Sequence, residues 1–361
     1  MIRRGAAVVA LVLVLLCVGG RGELLAEPRD RLDRFREMAS RLLGALEAYG
    51  ADEDGVDVRP LYALVDEEVI ESLDSGGPFA SPMFIQAQLD GFAEAWGGAV
   101  LGVRAIGGPN ARAPLLVGGF TLGTMGRTGS VRVYGRSGGG ATLLAVRAWR
   151  GSPEVLEWLP TRQGEAQFLV RWTGERSGRG TRALRLDLWR QTGPDAVRVV
   201  WSTAEHFPDG LWAAGAEVRP GEVVLRYEAR YPGWKPGCEE QTEQVDVYRY
   251  QPAAETLALA RGHAVNGWHR ELQSAVTRFF VALHDRDERT LAELVPDAAL
   301  RGRLPVHLDP EPACEGRSPG RPGVVTVAAA EERDGRAAPW SLSWARLSQG
   351  WRLAAADAVL Q

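Results

Sequence analysis

The chain has 361 residues, 45% of them hydrophobic and 24% charged, which is ordinary for a globular protein long enough to hold two or three domains. Acidic residues outnumber lysine plus arginine by 46 to 42, a net charge of −4, so there is no basic field of the kind that attracts nucleic acid. The histidines His206, His263, His269, His284 and His307 fall in no metal-ligand frame, so neither a metal nor another cofactor is expected.

Residues 1–26 read as an export signal. Arg3 and Arg4 precede the apolar run "GAAVVALVLVLLCVGG", which is short for a membrane span of about 20 residues. Cleavage after Gly20 or Ala26 fits the sequence, and an uncleaved segment would be the only membrane contact. Cys17 is a poor lipidation site because a bulky Leu16 precedes it. The expected location is periplasmic or secreted. In such an oxidising space Cys238 and Cys314 are expected to pair; two unpaired thiols are the alternative.

Residues 27–112 read as an N-terminal helical region. Leu32, Phe35, Met38, Leu42 and Leu46 form one apolar stripe that ends at Gly50. The acidic loop "ADEDGVD", residues 51–57, does not fit a calcium hand. With Gly55 at the sixth position, Gly50 and Leu61 fall where oxygen ligands are required. A second helix follows Pro60. The "DSGGP" at 74–78 echoes a serine-protease nucleophile segment, but no histidine precedes His206, so it reads as a turn. Ser81-Pro82 opens a third helix with the stripe Ile85, Leu89, Phe92 and Trp96, closed by Gly97-Gly98.

Residues 113–262 change to a period of two, and about ten short strands separated by turn residues predict an antiparallel β meander, a sandwich or a propeller-like sheet. Leu184, Leu186 and Leu188 share one face of a strand, with Arg185, Asp187 and Trp189 on the other. Trp189 is therefore a candidate surface-binding aromatic. Glu205, His206 and Asp209 read as a solvated loop. The stretch "YPGWKPGCEEQTEQ" contains the chain's single lysine, Lys235, and reads as a hairpin tip with Trp234 as a second surface-binding candidate. Glu239 and Glu240 beside Cys238 argue for a stapled turn over a reactive thiol.

Residues 263–361 return to helix and then to three strands. The amphipathic helix through Val276, Phe279, Phe280 and Leu283, the break, "LAELV" and the closing "WSLSW" and "GWRL" strands resemble the NTF2-like (SnoaL-like) family over about 268–361. The resemblance implies an α+β cone whose pocket would be lined by Phe279, Phe280, His284, Trp340, Leu342 and Trp344. Catalytic members of that family use Asp, His or Tyr inside the cone; His284 has no second convergent titratable group here, so no catalytic residue is assigned. "LYALVDEEVIESL" near the N-terminus echoes "LAELVPDAALRGRL", either as a degenerate duplication or as two helices in the same common residues. The expectation is an α+β, exported, non-catalytic binding or envelope-associated protein that meets a small ligand or an envelope protein. The alternatives are an enzyme using the C-terminal pocket and a structural subunit docking through its N-terminal helix.

Overall fold

The structure, a computed structural model, describes residues 30–49, 57–107, 114–122, 128–159, 164–177, 180–317, 323–333 and 335–359. The export segment and residues 51–56 of the acidic loop lie outside them. Helices and antiparallel sheets make the chain α+β. It divides into two compact units, one up to Ala105 plus Leu115–Ala148, the other Ile106–Pro114 plus Trp149 onward.

The first unit opens with helices α1 (Arg31–Tyr49), α2 (Arg59–Ser75) and α3 (Pro82–Trp96). Strands β1 (Val100–Ile106), β2 (Leu115–Leu122), β3 (Thr128–Ser137) and β4 (Gly140–Trp149) follow as one sheet in sequential order. The ends of α3 follow from its caps. Ser81 Oγ accepts from Phe84 N at 3.2 Å, and Gly97 closes the helix in the left-handed region at φ 91°. Its stripe Ile85, Leu89, Phe92 and Trp96 is buried with Phe35, Leu61 and Val65 against Leu116, Phe120 and Leu122 of β2.

That shared core corrects the boundary expected at 112/113. The strands after it pack on the helices before it, and the unit runs to Ala148. Strand β1 is absent from the sequence reading because its exposed and buried residues do not alternate. Without period two, "VLGVRAI" gives no strand signal.

The second unit holds β5 (Ser152–Glu157), β6 (Gln167–Arg176), β7 (Arg182–Gln191), β8 (Val197–Ser202), β9 (Leu211–Arg219), β10 (Glu222–Glu228), β11 (Glu243–Gln251) and β12 (Thr256–Val265). They form one antiparallel sheet in the order β12-β11-β10-β9-β7-β6-β5, with β8 also on β7. Edge strand β12 is largely exposed after Ala258, so its place rests on the backbone ladder to β11 rather than on apolar alternation. Helices α4 (Gly267–Asp285), α5 (Glu288–Leu294) and α6 (Ala298–Arg301) come next. A five-stranded sheet ends the chain: β13 (Leu308–Pro310), β14 (Gly316–Arg317), β15 (Val324–Arg333), β16 (Arg336–Leu347) and β17 (Gly350–Ala358). Leu272, Phe279 and Leu283 of α4 pack on Val325, Leu342, Trp344 and Trp351 of that sheet. The boundary expected at 262/263 therefore separates two modules inside one compact unit. Among the described residues no helix is long and apolar enough to cross a membrane.

Candidate functional site

The long connection between β10 and β11 brings the site together. Cys238 in that loop is bonded to Cys314, with Cα atoms 5.3 Å apart. The bridge sets the loop against residues 313–317, and α4 passes beside both. Lys235 Nζ donates to Ala313 O at 2.6 Å and to Glu315 Oε1 at 2.7 Å. His269, in the first turn of α4, lies between Tyr231 Oη at 2.5 Å and Glu315 Oε2 at 2.9 Å. Gln273, one turn further along α4, donates to Glu315 Oε1 at 2.5 Å.

The proton order follows from the partners. The Tyr231 oxygen accepts from Thr242 N at 3.2 Å, leaving its O–H for His269 Nδ1. Nε2–H of His269 then donates to the Glu315 carboxylate. Burial pushes the Glu315 carboxyl up, but the hydrogen bonds from His269 and Lys235 outweigh it and bring it down to about 2. Burial raises the Tyr231 hydroxyl, against the Thr242 hydrogen bonds. A tyrosine held protonated and a carboxylate held ionised make a fixed, satisfied network. Tyr231 and His269 line neither cleft described next, so the network positions its neighbours rather than meeting a ligand.

Two clefts flank Phe280 on α4. The first, about 440 Å³, lies against Val276, Thr277, Phe280 and Val281 of the helix and Val327 of β15. Pro310, Glu311 and Pro312 form one wall, and Gly233, Lys235 and Gln273 close the end nearest the buried network. The second, about 410 Å³, is polar: His284, His307, Asp309 and Glu332 line it with Phe280. No hydrogen bond joins any two of those four among the described residues. Helix spacing explains the pair, because positions 276, 277, 280, 281 and 284 share one face beside the face that enters the core.

The six residues expected to line one cone pocket separate. Phe279, Leu342 and Trp344 are fully buried in a packed core, Phe279 edge-on to Trp344 at 5.6 Å. Trp340 is half-buried, its Nε1 donating to Glu331 at 3.2 Å. Phe280 and exposed His284 face the outer clefts. The interior is filled because large apolar side chains from helix and sheet meet there.

Trp189 is corrected more sharply: it is 3% exposed and stacks on Phe168 at 5.8 Å. The polar face is buried because the Asp187 carboxylate on it finds its donors within the fold. Asp187 accepts from Trp172 Nε1 at 2.9 Å, Arg185 Nε at 3.0 Å and Ser202 Oγ at 2.6 Å. Trp234 is half-buried rather than free at a tip, with the Arg230 guanidinium 5.2 Å from its ring. It lines neither cleft.

A second buried ionic group lies in the first unit. Asp66 on α2 accepts from Arg132 Nε at 2.6 Å and from Tyr134 Oη at 2.7 Å. Arg132 also stands 4.9 Å from the Tyr62 ring. Burial and the Asp66 charge push the Tyr134 hydroxyl well above its ordinary value.

The sequence reading contains the disulfide but not the cluster it organises. A signal was present: pairing Cys238 with Cys314 puts Lys235 and Glu315 close together with opposite charge. His269 had no such pointer, being 38 positions from Tyr231 and 46 from Glu315. Among the described residues no group of three or more His, Cys, Asp or Glu side chains is placed to hold a metal ion. No protein-family model matches the chain, and no curated protein sequence matches it.

Proposed function

We propose that this is an exported, non-catalytic binding protein that takes a small apolar ligand in the cleft between α4 and Pro310–Glu311–Pro312. The observation that carries the reading is that cleft: about 440 Å³, within the range of small-molecule sites, walled by valine, phenylalanine and proline. Val281 on its wall is 55% exposed, an apolar surface that the fold itself does not use. The C-terminal residues are read as an NTF2-like (SnoaL-like) cone with its interior filled, which moves binding to the outer face of its helix. One continuous sheet from β5 to β12 favours the curved single-sheet alternative over a two-sheet sandwich within that unit. The Cys238–Cys314 bridge supports an oxidising, extracytoplasmic location.

Docking through α1 loses support. Phe35 of its stripe is fully buried, and Leu32, Met38 and Leu42 pack on the same core. The enzyme reading would rest on the polar cleft, where no hydrogen bond joins His284, His307, Asp309 and Glu332 to one another among the described residues.

Native mass spectrometry of the full-length chain, with displacement of an environment-sensitive apolar dye, tests the binding reading. Val281→Asp places a carboxylate on the apolar wall at an exposed position and is expected to weaken binding about tenfold, or 1.4 kcal/mol. An unchanged dye affinity in that variant would count against the cleft.

A further inference from the structure

We propose that the ligand of the α4 cleft is electrically neutral and carries a hydrogen-bond acceptor, such as an ester, ketone or quinone carbonyl, at the end that meets Lys235. This rests on the binding reading above and adds the chemistry of the ligand.

An ammonium group has three N–H donors. Two of those on Lys235 go to Ala313 O and Glu315 Oε1. The third has no partner among the described residues, and Lys235 lines the cleft. The charge of Lys235 is in a different position from its donors. The Glu315 carboxylate, with a side chain 3% exposed, stands 2.7 Å away and is fixed there by His269 and Gln273. Glu311 adds a second carboxylate to the lining. At its Lys235 end the cleft therefore offers a free ammonium N–H and no surplus positive charge.

Each ligand class meets this arrangement differently. A carboxylate reaching Lys235 would approach Glu315 and Glu311 as well. Like-charge repulsion there offsets the attraction to Lys235 and leaves the desolvation of the ligand uncompensated. A ligand ammonium would meet the ammonium of Lys235. A neutral carbonyl accepts the free N–H at no Coulombic cost, while its apolar remainder lies on Val276, Phe280, Val281 and Val327.

The test uses the full-length chain and four probes of one alkyl length: the alkane, its methyl ester, its carboxylate and its primary amine, at neutral pH. The ester is expected to bind about tenfold tighter than each of the other three, the low end for a hydrogen bond to a charged donor. A carboxylate or amine binding as tightly as the ester overturns neutrality, and an alkane matching the ester overturns the acceptor. Failure of all four to bind overturns the cleft reading itself. Lys235→Met should remove the advantage of the ester over the alkane. If that variant does not fold, Val281→Lys carries the test from an exposed position. It supplies the missing positive charge and should raise carboxylate affinity about tenfold, and an unchanged order of affinities there overturns the proposal.

Discussion

Glu315 stays ionised while almost wholly covered because donors from three directions surround it: Lys235, His269 and Gln273. With its carboxyl lowered from 4.5 to about 2, the folded state binds this proton more weakly than the unfolded chain does. Its stabilising contribution is therefore complete above pH 4.5 and is lost as pH falls from there through about 2. Urea unfolding at stepped pH should show that decline, and Glu315→Gln should flatten it; an equally steep decline in the variant would refute the assignment. In the first unit Asp66 is likewise buried among donors. Asp66→Ala leaves the Arg132 guanidinium buried without its carboxylate and should cost about 3–5 kcal/mol in equilibrium denaturation. A loss below 1 kcal/mol would mean that water reaches Arg132. Neither His269 as a partner of Glu315 nor Arg132 as a partner of Asp66 was legible in the sequence, where Asp66 reads as one acid among several in "VDEEVIESL". Its burial depends on Arg132, 66 positions away.

At the scale of elements, the loop between β10 and β11 depends on two glycines for different reasons. Gly233 and Gly237 both have positive φ, 88° and 84°. A methyl group on Gly237 would meet nothing within 4 Å, so Gly237→Ala should cost only backbone strain, about 1 kcal/mol. On Gly233 it would lie 2.3 Å from the Oε1 of Gln273, whose amide also holds Glu315. Gly233→Ala should therefore cost about 2–3 kcal/mol and disturb the Lys235 end of the cleft. Equal losses in thermal unfolding would show that the Gln273 contact is soft. Elements with a strong local period were readable: the α3 stripe and its Ser81 cap both appear as expected. Strands β1 and β12, with little alternation, were not.

For the whole molecule, the 76-position bridge is the covalent tie within the second unit. On the chain-entropy account it stabilises by about 4 kcal/mol, so replacing both Cys238 and Cys314 with alanine should lower the unfolding free energy by that amount. It should also loosen the wall that carries Glu315. Urea denaturation with dye binding would read both effects; a stable double variant with unaltered dye affinity would mean that the polar network suffices without the bridge.

The sequence by itself determined the alternation of helix and strand, the caps, the hairpin that carries Lys235 and the expected partners of the disulfide. Each is written in local spacing or in the redox logic of two cysteines. Only the tertiary structure decided that the first strands join the N-terminal helices, that Trp189 is buried, that the space between α4 and the C-terminal sheet is filled and that the clefts lie outside it. Periodicity marks which face of an element is apolar, but not what lies against the other face. Asp187 and Glu315 are polar on paper and buried in the fold, because donors on other elements, Trp172 and Ser202 for the first and Lys235 and His269 for the second, reach them.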